Sequence, residues 1–148
     1  MQIERLAAEN LHALPELVTA LWEDCTVEEE MKDFESSLYS EEGVCYLAKQ
    51  DNEYLGFIQL SIRHEYVEGA DELPVAYVEA VYVKPNYQKK GIAKLLLEAA
   101  ENWAKQKGLS QMASDTSIEN AAAIDFHQKA GFVEVERIVC FIKILHID

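Results

Sequence analysis

An apolar run, Ala80-Val81-Tyr82-Val83, stops at Pro85, and Gln88-Lys89-Lys90-Gly91-Ile92-Ala93 then opens a segment whose apolar residues recur at helical spacing. A strand, a glycine-bearing loop and a helix in succession restrict the chain to folds that mix sheet and helix. The junction also has a chemistry. The first NH groups of a helix have no partner inside it and the helix dipole favours negative charge there, so two adjacent lysines complete an arrangement suited to phosphate. The loop lacks the G-x-x-x-x-G-K-S/T of a Walker A motif and the G-x-G-x-x-G of a dinucleotide fold. Taken alone, Gly91 is also what an ordinary helix start contains.

The elements around this junction follow from periodicity and punctuation. Residues 2–6 read as a first strand, and Asn10 as the cap of a helix carrying Leu14, Leu17, Val18, Leu21 and Trp22. Thr26 with Glu29 has capping-box spacing and starts a second helix to about residue 39. Residues 44–49 and 54–62 flank the polar turn Asp51-Asn52-Glu53 and predict a hairpin, while residues 75–83 predict a central strand. Ile92, Leu95, Leu96, Ala99 and Trp103 mark the buried stripe of a third helix that Gly108 ends. A strand over 109–114, a capping box at Thr116 and Glu119, a helix to Ala130, and two closing strands at 132–136 and 138–145 complete the order. The expectation is an α/β (α+β) fold built on a mixed central β-sheet, with residues 1–148 forming a single domain.

A chain of 148 residues can bury roughly 68 to 70% of its unfolded surface, enough for a core without disulfides. Cys25, Cys45 and Cys140 are odd in number, widely spaced and without metal-site spacing, so reduced thiols, a cytoplasmic location and no metal are expected. The first residues, Met1-Gln2-Ile3-Glu4-Arg5, do not read as a signal peptide, and no segment reads as a membrane span. With 13 basic against 27 acidic residues the net charge is -14, which disfavours nucleic acid and anionic membrane as partners and favours a cationic substrate. Solubility alone is the other reading of that charge. Lys84, Lys89, Lys90 and Lys94 run against the trend, gathering around the loop.

The loop resembles the Q/R-x-x-G-x-G/A signature of the GNAT N-acetyltransferase superfamily. Downstream, Glu119-Asn120 followed by Phe126-His127-Gln128-Lys129-Ala130-Gly131-Phe132 resembles the superfamily's E-N-x-x-A-x-x-F-Y-x-K-x-G-F segment. The resemblance implies the GNAT fold, a mixed sheet with helices on both faces, and acetyl-CoA as co-substrate. It implies that acetyl-CoA is held by Val81, Tyr82 and Val83 through their backbone, by Lys89, Lys90, Gly91, Ile92, Ala93 and Lys94, and by Asn120. His127 stands where many members carry a tyrosine able to protonate the leaving thiolate. It either takes that part or is a partly buried helix residue.

A narrower resemblance lies in Ser61-Ile62-Arg63-His64-Glu65-Tyr66-Val67, Val78-Glu79-Ala80, Met112-Ala113-Ser114-Asp115-Thr116 and Val135-Glu136-Arg137. These are similar to the aminoglycoside 6'-N-acetyltransferases. That resemblance implies a cationic amino-sugar site formed by Trp22, Tyr66, Glu79, Asp115 and Glu136, a homodimer, and a role in antibiotic resistance. The residue types suit the task, because ammonium groups need carboxylates and sugar rings need aromatic faces. Glu79 interrupts an apolar strand, which singles it out as a base that accepts the amine proton, with Asp115 second. Each carboxylate also has a plainer reading: a solvated charge, for Asp115 a partner of the next helix start, and for Glu136 the exposed position of an alternating strand. Acetylation of another polycation, a polyamine or a protein lysine or N-terminus, fits the same loop, as does a noncatalytic acyl-CoA sensor.

Overall fold

Strand pairing organises the molecule. The computed structural model describes residues 1–21 and 27–147, in the order β1 (Gln2–Arg5), α1 (Leu14–Leu21), α2 (Val27–Ser37), β2 (Gly43–Gln50), β3 (Glu53–Arg63), β4 (Val75–Val83), α3 (Ile92–Gln106), β5 (Met112–Ala113) and α4 (Ala121–Lys129). The chain divides into two compact units, Met1–Asp115 and Thr116–Asp148. The first holds one five-stranded sheet in the order β1-β2-β3-β4-β5. β1 to β4 pair antiparallel in sequence, and β5 joins β4 in parallel, so the sheet is mixed. The hairpin between β2 and β3 turns at Asp51 and Asn52, both at positive φ, where Asp and Asn are the non-glycine residues best tolerated.

Alternation along the strands divides the core between two faces. On one, Leu14, Leu17 and Val18 of α1 and Phe34 of α2 pack with Cys45, Leu47, Phe57 and Ala80. Val44, Ala48 and Ile58, out of phase with that set, are also buried, and α3 packs against β1, β2, β3 and β4. Helices therefore cover both faces. The buried residues of α3 are Ile92, Leu96, Leu97, Ala100, Trp103 and Ala104, whereas Leu95 is exposed. The stripe expected through Leu95 and Ala99 is thus rotated toward Leu97 and Ala100, because a run of three leucines satisfies either helical face.

Other expectations shift for identifiable reasons. Asn10 is buried, but its Oδ1 accepts from the Ala7 NH at 2.8 Å and its Nδ2 donates to the Arg5 carbonyl at 3.1 Å, so it ties a loop rather than capping a helix. Thr116 and Glu119 form no capping box. Asn120 is the N-cap of α4, its Oδ1 accepting from the Ala123 NH at 3.0 Å, and a turn held by Ser117 precedes it. The expected box at Thr26, like Trp22, lies outside the described residues.

The largest correction concerns the end of the chain. No strand forms over 132–136 or 138–145. A strand needs a paired neighbour, and this segment has none among the described residues. Val133, Val135, Ile138, Val139, Phe141, Ile142, Ile144 and Leu145 are all exposed.

Gly56 marks the tightest approach in the sheet. A Cβ there would collide with the Tyr82 carbonyl oxygen and lie 3.1 Å from the Val83 Cα. Gly56→Ala is expected to destabilise the fold by about 1 to 3 kcal/mol, read as a lower urea midpoint at unchanged slope.

Candidate functional site

β4 and β5 pair only at Ala76 with Met112 and Tyr77 with Ala113. On its other edge β4 continues beside β3 as far as Val83, which pairs with Gly56. In an antiparallel pair alternate residues turn their NH and C=O groups away from the partner, so β4 beyond Val78 presents backbone donors and acceptors along an edge that β5 does not cover. Val81, Tyr82 and Val83 lie on this stretch.

The chain then turns toward α3. Gln88 Nε2 donates to the Val83 carbonyl at 2.9 Å, fastening the loop to the end of β4. Lys89 has φ 62 and Gly91, the N-cap of α3, has φ 86 with no side-chain cap. The Leu95 NH returns to the Gly91 carbonyl, so the NH groups before it, those of Ile92, Ala93 and Lys94, remain outside the helix ladder. A Cβ on Gly91 would meet no atom within 4 Å, so the surface of the loop is open as well as positive. Lys89, Lys90 and Lys94 make no ion pair among the described residues, though Lys90 Nζ lies 5.6 Å from the Tyr87 ring. Lys84 differs. Its Nζ is 3.3 Å from both Glu16 and Glu53, so it belongs to a structural ion-pair cluster and not to the loop's free charge. An open strand edge meeting an uncapped, lysine-flanked helix start fits a ligand with an extended amide arm and a pyrophosphate, which is the chemistry of coenzyme A.

A carboxylate network lies in the same unit. The register between β3 and β4 jumps from Gln59 opposite Ala80 to Leu60 opposite Val78, so Glu79 is the extra residue of a β-bulge. Bulges re-aim side chains, which explains how an acid interrupts an apolar central strand without being buried. Glu79 Oε1 accepts from Ser61 Oγ at 2.5 Å and Arg63 Nε at 3.0 Å, while Oε2 accepts from an Arg63 terminal nitrogen at 2.8 Å. The Arg63 guanidinium carbon also sits 3.5 Å from the Tyr77 ring centre, and the Tyr77 hydroxyl donates to Asp115 Oδ2. Glu79 and Asp115 are therefore joined through Arg63 and Tyr77. The Tyr77 phenol is pushed up to about 12 by burial first and by the Asp115 hydrogen bond second.

The model of the acetyltransferase (GNAT) family matches residues 11–132. The chain belongs to that family. It is 35% identical to an aminoglycoside N(6')-acetyltransferase type 1 of Salmonella enteritidis over 143 residues, covering 97% of this chain and 99% of the relative. The corresponding protein of Acinetobacter haemolyticus is 32% identical, with 97% and 98% covered. Among solved structures, AAC(6')-Iy in complex with the bisubstrate analog CoA-S-monomethyl-acetylneamine superimposes with a TM-score of 0.93 at 34% identity, covering 97% of this chain and 98% of that one.

In this GNAT chain the remaining candidates are distributed between the two units. Tyr66 is exposed in the first, its hydroxyl donating to Glu68 at 3.0 Å. Asn120, His127 and Glu136 belong to the second unit. Capping uses Asn120 Oδ1 and leaves its amide NH2 outside that bond. His127 Nδ1 donates to the Ala123 carbonyl at 2.6 Å, and its ring lies against Phe126 and Phe132. Glu136 is exposed and accepts from the Arg137 NH, and because Val133 and Val135 are exposed too, alternation assigns it no face. Trp22 is outside the described residues. Cys45 is buried, and burial pushes its thiol up, which removes it as a thiolate nucleophile.

Ser61, Arg63 and Tyr77 were not singled out from the sequence. The usable signal was the period of two on each strand: Ser61 and Arg63 share one face of β3, Tyr77 and Glu79 one stretch of β4, with opposite charges on neighbouring strands. Because the folded Tyr77 phenol titrates above its ordinary 10, its contribution is intact below pH 10 and is lost as pH rises toward 12. Tyr77→Phe is therefore expected to flatten the fall in melting temperature across that alkaline window while leaving the curve near neutral pH unchanged in slope.

Proposed function

We infer that this protein is an aminoglycoside 6'-N-acetyltransferase that moves the acetyl group of acetyl-CoA directly onto the 6'-amine of the antibiotic, conferring resistance. The observation that carries this reading is likeness over nearly the whole chain to aminoglycoside N(6')-acetyltransferases, joined to a network that links Glu79 of β4 to Asp115 through Arg63 and Tyr77. An uncovered strand edge and an uncapped helix start support acetyl-CoA. The partnered carboxylates support a polycationic amine.

Acetyl-CoA supplies an activated acyl group, and the chain's own residues supply the rest. The backbone NH groups among Val81, Tyr82 and Val83 hold the acyl-carrying arm and stabilise the oxyanion that forms at the thioester carbonyl. The NH groups opening α3, with Lys89, Lys90, Gly91, Ile92, Ala93 and Lys94, hold the pyrophosphate, and the Asn120 amide holds the arm. Trp22, Tyr66, Glu79, Asp115 and Glu136 bind the amino sugar. The amine must be neutral to attack. For an amine as basic as lysine that costs about 4.6 kcal/mol at pH 7. Glu79, directly or through water, accepts the proton, with Asp115 as second acceptor, and His127 returns a proton to the departing thiolate. No cysteine ester is formed.

Residues 1–148 are read as one domain, supported by a family match that crosses the boundary between the two units. The enzyme is read as cytoplasmic, with reduced thiols, and no helix among the described residues is long and apolar enough to cross a membrane. It is read as a homodimer because residues 132–147 expose more apolar surface than a monomer sustains, with Phe141 at 92% and Ile142 at 95% accessibility. Light scattering is expected to give the mass of two chains, and Phe141→Asp with Ile142→Asp to shift it toward one. A wild-type protein that stays monomeric at high concentration would refute the dimer.

The functional test is a panel of acetyl acceptors: aminoglycosides with and without a 6'-amine, spermidine, and a lysine peptide. Turnover is expected only with the 6'-amines, and acetylation of the peptide alone would overturn the substrate assignment. Glu79→Gln is expected to lower kcat and alter its pH profile. If only the required substrate concentration rose, Glu79 would bind charge without accepting the proton.

A further inference from the structure

We propose that Arg63 is a positioning residue for acetyl transfer, fixing Glu79 so that a single acceptor position, on Oε2, is left for the substrate amine. The inference rests on the functional reading above and deepens it. A carboxylate offers about four lone-pair positions. Ser61 and Arg63 take both on Glu79 Oε1, and the other arm of the Arg63 fork takes one on Oε2. The guanidinium is immobilised on its flat side by the Tyr77 ring, at 3.5 Å from its centre, and Tyr77 in turn holds Asp115. One planar cation thus sets the orientation of the first carboxylate and, through Tyr77, is tied to the second. Arg63 also offsets one of the two negative charges, so the pair presents one net negative charge, matched to a single ammonium group.

A purely structural role explains this arrangement poorly. The side chains of Arg63 and Glu79 are 42% and 31% accessible, and ion pairs so exposed to water contribute little to stability. The geometry, by contrast, is specific to arginine. A lysine has neither the two-pronged donor nor the flat face that stacks on Tyr77.

The test is a double-mutant cycle with steady-state kinetics on acetyl-CoA and a 6'-amino aminoglycoside. Arg63→Gln and Arg63→Lys are both expected to lower kcat/KM for the aminoglycoside roughly 10- to 100-fold, as misplacement of a reacting group does. The KM for acetyl-CoA and the melting temperature should stay at wild-type values. Arg63→Gln combined with Glu79→Gln is expected to be no slower than Glu79→Gln alone, since Arg63 acts through Glu79. If Arg63→Gln lowers the melting temperature, Arg63→Lys, which keeps the charge, carries the test. Full activity in Arg63→Lys, wild-type kinetics in Arg63→Gln, or losses that multiply in the double variant would overturn the proposal. Wild-type kinetics in Glu79→Gln would overturn the functional placement of Glu79 and this inference with it. An impaired Glu79→Gln beside fully active Arg63 variants would overturn this inference alone.

Discussion

The brevity of the contact between β4 and β5 is the constraint on which the rest of the structure depends. Two residues of β4 pair with β5, and the strand then runs on to Val83 paired, among the described residues, with β3 alone. A sheet edge inside a fold is ordinarily a liability, since unpaired NH and C=O groups seek another strand. Here the edge leads directly, through a loop that Gln88 fastens to Val83, into a helix start that is also short of partners. The strand edge and the helix start are two separate sets of backbone groups, joined by a loop whose own Lys84, Tyr87 and Gln88 NH groups are bonded within the protein. A ligand with an amide arm and a pyrophosphate satisfies both parts, and a peptide strand satisfies only one.

The bulge at Glu79 sets a partnered carboxylate on the same strand that carries that edge. Without the extra residue, an acid at this point in β4 would face the cost of burial or displace an apolar neighbour from the core. With it, Val78 and Ala80 stay buried while Glu79 reaches Ser61 and Arg63. The charge of the chain is partitioned accordingly. Lysines stand at the loop, with Lys84 drawn off by Glu16 and Glu53, whereas Glu79 lies midway along the same strand and Asp115 bonds to Tyr77 two residues before it.

Much of this was legible in the sequence where local chemistry decides the outcome. The bounds of β4, the turn at Asp51 and Asn52, and the stop of α3 at Gly108, which has φ 80, follow from proline, turn residues and glycine. The face of α3 was not legible, because Leu95, Leu96 and Leu97 leave the stripe free to rotate. Nor was the end of the chain. Alternating Val133, Val135, Ile138 and Phe141 carry a strong strand propensity, but pairing is a tertiary property and these residues find no partner among those described. Glu79 stood out as an acid in an apolar strand, and Asp115 through the family resemblance. Arg63 and Tyr77 did not, since a charge and a ring on separate strands acquire their meaning only from the register that brings them together. The role of Asn120 as the cap of α4 was not legible, because Thr116 and Glu119 offered the more familiar capping spacing.

The regiochemistry of the product tests the account most directly. Acetyl-CoA and an aminoglycoside bearing several amines would be incubated with the enzyme and the product assigned by NMR. The account predicts one acetyl group, on the 6'-nitrogen, with release of free coenzyme A and no acetyl left on the protein. Acetylation at another amine or at a hydroxyl, or an acetylated protein that accumulates before product, would contradict it.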